Sequence, residues 1–497
     1  MGERLALGVV VSAVALGVLG DYLFEGQAIG VNAGVFAVAF VAALAILLRV
    51  GRVPLHQGRR AMVAPLVLFA ALLAWHDSPL LLATNLLAVA GAVALGALRR
   101  TKPSLVDAQV TDYVVGAAAA GASAFAGAID LLEKEVPWER IGRQVRGRQG
   151  AAVARGLAIG LPLLALFGGL FVAADAVFRS LLFESIADLR RLWLHLLIAG
   201  AIAWLSCGLL RDLLATRDEQ RLVAAELVGV RRRRLALSGQ TEVAIALAIV
   251  NVVFAAFVVV QIRYLFGGRS LVESRLHLTY AQYARHGFFE LLAVSLLVLP
   301  LLFGAHALLR HRSPFSLRLV HALSALLIAL SLVVMASALQ RLRLYQREYG
   351  LTELRLYATG LIIWLGCVFV WLGVTVVRSR PRLFVTGALV SGFVATLALN
   401  VANPDALIAR TNLDRPRVDA AYLGKLSDDA VPVLLARLQS LPARLRVPLA
   451  RELLRRSDDP QGLLGWNASR SRAHELLRKE HSALVQLASG RNALPSS

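Results

Sequence analysis

Residues 28–48 have the sequence AIGVNAGVFAVAFVAALAILL, which contains no charged side chain, and four arginines follow within the linker 49–60. An apolar run of about 20 residues is long enough to cross the roughly 30 Å hydrocarbon core of a bilayer as an α-helix. Arginines beside such a run are typical of the cytoplasmic end of a membrane span. The same alternation of apolar blocks and basic strips recurs along the first 400 residues, and it decides the fold class.

Further apolar blocks predict further spans. They lie near residues 5–19, 61–75, 79–98, 152–174, 192–210, 241–261, 287–309, 317–339, 356–377 and 383–400. Together the blocks predict an all-α, polytopic transmembrane helix bundle of about eleven spans, within a range of about ten to twelve. An Ala/Gly-rich stretch at 113–132 is expected to form an interfacial helix rather than an additional span.

The composition supports a membrane protein and argues against several soluble classes. The chain is 58% hydrophobic and 17% charged, with a mean hydropathy of +0.66, whereas soluble domains are about 45–50% apolar and about 25% charged. Its net charge of +21 would suggest nucleic acid in a soluble protein, but here the cations flank apolar blocks, so no nucleic-acid partner is expected. Cys207 and Cys367 lie inside apolar blocks without a CxxC pattern, and no metal or cofactor is predicted.

The connections between blocks differ in charge, which predicts the orientation. In the eleven-span order, one set of connections together with the N-terminus carries 27 Lys and Arg residues, and the other set carries 11. Because cytoplasmic loops are enriched in Lys and Arg, the N-terminus is predicted to be cytoplasmic. An odd number of spans then places the C-terminus outside.

The character of the chain changes after the last apolar block. Asn403-Pro404-Asp405 ends that block, and the following residues are charged and amphipathic. They predict a small soluble helical segment with helices starting near Ser427, at 443–456 and at 471–487; Ser427 is the expected N-cap of the first. The predicted domains are 1–150 (spans 1–4 and a basic linker), 151–402 (spans 5–11), 403–489 (the soluble segment) and 490–497 (a disordered tail).

Four strings of residues resemble a known family. They are 278–291 (LTYAQYARHGFFEL), 348–357 (EYGLTELRLY), 403–413 (NPDALIARTNL) and 422–432 (YLGKLSDDAVP). Together they resemble a bacterial family of polytopic membrane proteins described only as domain of unknown function DUF4173, with DUF4153 as a close relative. The resemblance spans roughly residues 150–435. It implies a multi-pass protein of the bacterial inner membrane and supplies no activity, substrate or catalytic residue.

Ionisable and polar residues near the predicted outer face are the candidates for a functional surface. Glu290 lies one turn inside the eighth block, where it either carries protons or pairs with Arg285. The other candidates belong to two outer connections and to the end of the last span, where they either bind an anionic headgroup or form an aromatic belt with snorkelling arginines. The complete set is Tyr280, Tyr283, Arg285, Glu290, Tyr349, Thr352, Glu353, Arg355, Asn403 and Asp405.

Three classes of function remain open from the sequence. The favoured one is a non-enzymatic scaffold, sensor or assembly component of the envelope, whose partners are the lipid bilayer and an anionic lipid or envelope protein. The second is a transporter or flippase for a small or lipid-linked substrate, which needs a polar path through the bundle. The third is an enzyme that acts on a lipid-linked substrate at the outer face, with Glu290, Glu353 or Asp405 as acid or base.

Overall fold

A computed structural model of the chain describes residues 2–53, 57–97, 121–122, 124–136, 187–214, 240–266, 288–308, 314–377, 383–416, 418–456 and 462–489. Throughout these ranges the regular structure is helical, and no strand occurs in them. The predicted span at 152–174 lies outside the described residues.

The membrane part contains ten helices whose bounds the structure describes, besides the helical residues 124–130. They are α1 (Glu3–Phe24), α2 (Val31–Val50), α3 (Gln57–Leu72), α4 (Pro79–Ala97), α5 (Ala187–Leu214), α6 (Gln240–Phe266), α7 (Phe288–Leu308), α8 (Pro314–Tyr349), α9 (Glu353–Val377) and α10 (Leu383–Ala402). A π-helical turn, Leu131–Glu135, lies between α4 and α5 in the chain.

Eight of these helices, namely α1, α2, α4, α5, α6, α8, α9 and α10, are long and apolar enough to cross a membrane. Shorter apolar stretches, Arg60–Leu72 and Leu291–Ala305, occupy α3 and α7. The positions agree with the predicted blocks, so the prediction of an all-α, multi-pass membrane protein is confirmed and the span count is approximately right.

The apolar side chains of the bundle form two clusters. The first joins α1–α5 and includes Val9 and Leu210; the second joins α6–α10 with the end of α4 and includes Leu327 and Phe369. The span at 192–210 therefore packs with the N-terminal helices, mainly against α1. Burial of these faces among neighbouring helices fixes the arrangement.

Two asparagines join the two clusters where α4 meets α10. Asn85 donates to the Asn400 side-chain oxygen at 3.1 Å, and Asn400 donates back to Asn85 at 2.8 Å. Asn251 in α6 similarly donates to the Leu323 carbonyl of α8 at 3.0 Å. Each amide thus bonds across a helix–helix contact, as expected for polar groups buried in a membrane bundle.

The last part of the chain folds into six short helices. They are α11 (Pro404–Leu413), α12 (Ala420–Leu423), α13 (Val431–Leu438), α14 (Ala443–Arg456), α15 (Ala468–Lys479) and α16 (His481–Ala488), with a 3₁₀ turn at Asp428–Ala430. We call residues 403–489 the C-terminal segment. Its own apolar cluster contains Leu434, Leu453 and Leu477. The predicted helix at 471–487 is divided in two at Glu480, whose backbone leaves the helical region.

Candidate functional site: the junction between helix ends and the C-terminal segment

The C-terminal segment supplies hydrogen-bond partners to the start of α2. The first N–H groups and the last C=O groups of an α-helix have no partner inside the helix. Here the Val31 N–H donates to the Trp466 carbonyl at 2.9 Å, and the Asn32 N–H donates to the Leu464 carbonyl at 3.2 Å. The Asn32 side-chain oxygen accepts from the Gly30 N–H at 2.7 Å. A segment distant in sequence therefore completes this helix end.

Asn467 connects the end of α3 with the start of α15. Its side-chain nitrogen donates to the carbonyls of Leu73 at 3.2 Å and His76 at 2.8 Å. Its side-chain oxygen accepts from the Ser469 N–H at 3.0 Å, which makes it the N-cap of α15. Because Asn467 is only 1% exposed, loss of either set of bonds would leave buried polar groups unpaired.

The turn between α8 and α9 is completed by the same segment. Gly350 ends α8 with a φ of +83°, a left-handed conformation that favours glycine. The side chain of Asn412 donates to the Leu351 carbonyl at 2.7 Å and accepts from its N–H at 2.8 Å. Arg415 donates to the Gln346 carbonyl at 3.0 Å, in the last turn of α8. We call the contacts of the C-terminal segment with α2, α3, α8 and α9 the junction.

Asp429 is the most highly connected side chain of the junction. One carboxylate oxygen lies 2.6 Å from His76 Nδ1, and the other accepts from the N–H groups of Asp77 at 2.8 Å and Ser78 at 3.0 Å. The Ser427 hydroxyl lies 3.2 Å from that second oxygen. Burial by itself raises the pKa of Asp429, but the hydrogen bond and charge of His76 and the bond from Asp77 outweigh it and lower the pKa below its ordinary value.

Asp405 is fully buried beside this site. One of its carboxyl oxygens accepts from the Ser427 N–H at 3.2 Å and from the Ser427 hydroxyl. Glu353, at the start of α9, lies close to Asp405. Burial raises the pKa of Asp405, and the bonds from Ser427 only partly oppose this effect. The backbone of Glu353 is held by the C-terminal segment as well, since its N–H donates to the Tyr422 hydroxyl at 2.9 Å.

Two further acids of the junction face cations. Asp77 lies 2.7 Å from Arg470, while Asp428 lies 3.3 Å from Arg456 and 3.8 Å from His474. Burial and the neighbouring Asp428 raise the pKa of Asp77 to about 6, against the opposing effect of Arg470. Burial likewise raises the pKa of Asp428, although Arg456 and His474 oppose the shift.

The junction contains several of the residues predicted from sequence. Asn403 starts α11 in a left-handed conformation with a φ of +46°, and its side-chain oxygen accepts from the Ala406 N–H at 3.3 Å. Its side-chain nitrogen lies 3.5 Å from Asp429. Glu353 lies close to Asp405. The structure therefore brings together one predicted outer connection and the end of the last span.

Other predicted residues lie at the edge of the junction or outside the described chain. The Thr352 carbonyl accepts from the Leu356 N–H in the first turn of α9. The Arg355 guanidinium stacks 4.1 Å above the Tyr345 ring, and Tyr349 is half exposed beside that ring. Three candidates lie outside the described residues: Tyr280, Tyr283 and Arg285. The backbone of Glu290 belongs to α7, but its side chain lies outside the described part.

Sequence reasoning missed the most connected groups. The triplet His76-Asp77-Ser78 appeared only as a short connection without cations, and nothing in the sequence pairs it with a residue about 350 positions away. Asp429 lies two residues after Ser427, the expected N-cap of a predicted helix, and no functional role was predicted for it. Ser427 lies at the predicted N-terminal position, but its hydroxyl donates to Asp405 instead of capping the following turn.

Part of the junction lies within a recognisable family match. The profile described as "Domain of unknown function (DUF4153)" matches residues 63–436. The chain belongs to this family. DUF4153 is the relative that the sequence strings suggested beside DUF4173, and its range contains both the His76–Ser78 connection and Asp429. No curated protein and no solved structure matches the chain.

The chemistry of the junction follows from how its acids are used. Within the part of the chain that the structure describes, no group of three or more His, Cys, Asp or Glu side chains is arranged to hold a metal ion. Asp429, Asp405 and Asp77 bind backbone N–H groups, hydroxyls or cations of the same chain. The arrangement can therefore hold the C-terminal segment on the bundle and can take up protons where the pKa values are raised.

Proposed function

We propose that this DUF4153 protein is a non-enzymatic envelope component whose C-terminal segment is docked on the membrane bundle as a scaffold or sensor. One observation carries the proposal: the C-terminal segment completes the helix ends of α2, α3, α8 and α9 with its own hydrogen bonds. These ends come from both apolar clusters of the bundle. The segment thus links the two halves, and a partner that binds it would act on both.

We further propose that the junction faces the outside of a bacterial inner membrane. The connections after α1, α3 and α8 meet the C-terminal segment on one face of the bundle. The first two of these connections carry no Lys or Arg, while the linker 49–60 after α2 carries four arginines. The charge bias supports a cytoplasmic N-terminus and an outer C-terminal segment. A maleimide that cannot cross the membrane should label a cysteine at exposed Lys479 in intact cells, and labelling only after lysis would reverse the orientation.

The contacts of the polar groups favour a scaffold over a transporter. A transport path would require polar side chains that face a hydrated cavity. The Asn251 amide instead donates to carbonyls of α6 and α8. A groove of about 490 Å³ between α8 and α9 is lined by apolar residues such as Leu332, Val370 and Trp371. Within the described residues, these features support packing rather than conduction.

The burial of the acids also favours a scaffold over an enzyme. Catalysis on a lipid-linked substrate requires an acid or base that the substrate can reach. Asp405 is 0% exposed and Asp429 is 4% exposed, and both bind groups of the same chain. Their hydrogen bonds stabilise the folded arrangement and leave little access for an external substrate.

Complementation of a deletion strain, with profiling of envelope lipids, tests the proposed function. Asp429→Asn should reach the membrane at the wild-type level yet fail to complement, because the docked segment is loosened. Asp414→Asn is the matched control, since Asp414 is an exposed acid of the same segment. Full complementation by Asp429→Asn in a demonstrably undocked state would contradict the scaffold role.

Glu290→Gln distinguishes the alternatives. Both a proton-coupled transporter and an acid–base enzyme that uses this residue should lose activity with the variant. A scaffold should complement normally, provided that the variant reaches the membrane at the wild-type level.

A further inference from the structure

The loop 462–466, with the sequence GLLGW, is held tightly against the connection between α1 and α2. The carbonyls of Leu464 and Trp466 accept the first N–H groups of α2. A Cβ on Gly465 would lie 3.2 Å from the Ala28 carbonyl oxygen, and one on Gly30 would overlap the Trp466 carbonyl. The close backbone contact leaves no room for a side chain at Gly30 or Gly465.

This fixed loop exposes two large apolar side chains. Leu463 is 92% exposed and Trp466 is 42% exposed. Soluble surfaces tolerate single exposed apolar residues, but here the carbonyls of Leu464 and Trp466 are hydrogen-bonded to α2, while the side chain of Leu463 is almost fully exposed and that of Trp466 is partly exposed. Such a rigid apolar projection is typical of a binding surface rather than of a packing element.

The surroundings of the loop identify what covers it. The α1–α2 connection joins two membrane-spanning helices, so it lies where the hydrocarbon core meets the headgroups. Tyr22 near the end of α1 and Trp75 after α3 are 69% and 62% exposed. Tyr and Trp are enriched at this level of a membrane because their rings are apolar and carry one polar group. Trp75 lies near the loop, since its carbonyl accepts from the Ser469 N–H at 3.2 Å, and an aromatic rim of this kind is typical of a surface that faces lipid.

We propose that Leu463 and Trp466 insert into the membrane interface and anchor the C-terminal segment to the bilayer beside α1 and α2. The side chain of Leu463 enters the upper acyl region, and the indole of Trp466 remains among the headgroups. The segment is then held by two independent contacts, one with the bundle through the junction and one with lipid through this loop. The inference holds for either orientation of the chain and does not depend on the scaffold role.

Fluorescence of the full-length protein in lipid vesicles tests the anchor. Cys207 and Cys367 are replaced by alanine, a single cysteine is introduced by Leu463→Cys, and an NBD label is attached. The vesicles contain phosphatidylcholine and phosphatidylglycerol, with or without a nitroxide on the acyl chain. Lys479→Cys is the matched control, because Lys479 is exposed at the opposite end of α15, about 18 Å along a helix of this length.

The expected result is a blue-shifted NBD emission at position 463 that lipid nitroxide quenches at least twofold more strongly than at position 479. Aqueous iodide should show the opposite order. Equal quenching by iodide at both positions would refute the anchor. Protection at position 463 from both iodide and lipid nitroxide would also refute it and would indicate that a second protein surface covers the loop.

Discussion

Among single isosteric substitutions in the junction, Asp429→Asn should weaken the docking of the C-terminal segment on the bundle the most. The substitution removes a buried negative charge that accepts two backbone N–H groups and contacts His76 at 2.6 Å. It also places an amide NH₂ where an acceptor is required. Hydrogen bonds to charged groups contribute about 1.5–3 kcal/mol each, and Asp429 accepts two of them from backbone N–H groups besides its contact with His76. We therefore expect docking to weaken by about 3 kcal/mol.

Hydrogen exchange of the full-length protein in nanodiscs measures this loss. A change of about 3 kcal/mol corresponds to a roughly 100-fold rise in the opening constant. At pH 7 the exchange of the Asp77 and Ser78 amides, which donate to Asp429, should accelerate by about that factor. The amides of Ala468 and Ser469, which donate to the end of α3, should accelerate with them if the whole segment separates.

Asp414→Asn serves as the control for this exchange measurement. Asp414→Asn should leave the same amides within about twofold of the wild-type rate, because an exposed ion pair contributes little. If Asp429→Asn leaves the exchange of Asp77 and Ser78 unchanged, the carboxylate does not hold the segment. If only those two amides accelerate, its effect is local and the remaining contacts maintain docking.

The remaining predictions concern pH, the membrane interior and a turn. Burial and the neighbouring Asp428 raise the pKa of Asp77 to about 6 in the docked state. The docked state therefore binds a proton more readily than the undocked state, so acidification from pH 7 to pH 5 should strengthen docking by about 1–2 kcal/mol from this residue. Exchange measured against pH should show this slope, and Asp77→Asn should reduce it, while the raised pKa values of Asp405 and Asp428 maintain the remainder. Asn85 and Asn400 are replaced by alanine singly and together, and the stability of each variant is measured by thermal unfolding. The coupling energy between the two positions should be about 0.6 kcal/mol and at most about 1.7 kcal/mol. Additive effects of the two substitutions would contradict a hydrogen bond between the two amides. Gly350→Ala should destabilise the protein by roughly 1–2 kcal/mol, because Gly350 has a φ of +83°. Gly304→Ala is the control and should be neutral, because Gly304 is a helical position with open space around it. Equal melting temperatures of the two variants would contradict backbone strain at position 350.

The local pattern of the sequence was sufficient for the membrane helices. A run such as 28–48 must form a helix in a bilayer, because no water is present to bind its backbone groups. Residues 403–405 were also placed correctly at the end of the last span, whereas the ninth span, predicted to end near residue 339, continues as α8 to Tyr349. These inferences depend on residues that are near one another in the chain, and hydropathy and charge report such neighbours directly.

Only the tertiary structure decided which residues pair with one another across the junction. The bond between His76 and Asp429 spans about 350 residues, and Asn467 joins the end of α3 to a helix almost 400 residues later. Nothing in the hydropathy of either stretch encodes such a pairing, because each one reads as an ordinary polar connection. Folding brings them together because buried helix ends need hydrogen-bond partners that the membrane cannot supply. The sequence by itself therefore determined a multi-pass bundle with a helical C-terminal segment. Only the packing of the helices decided that this segment supplies hydrogen-bond partners to the helix ends of the bundle.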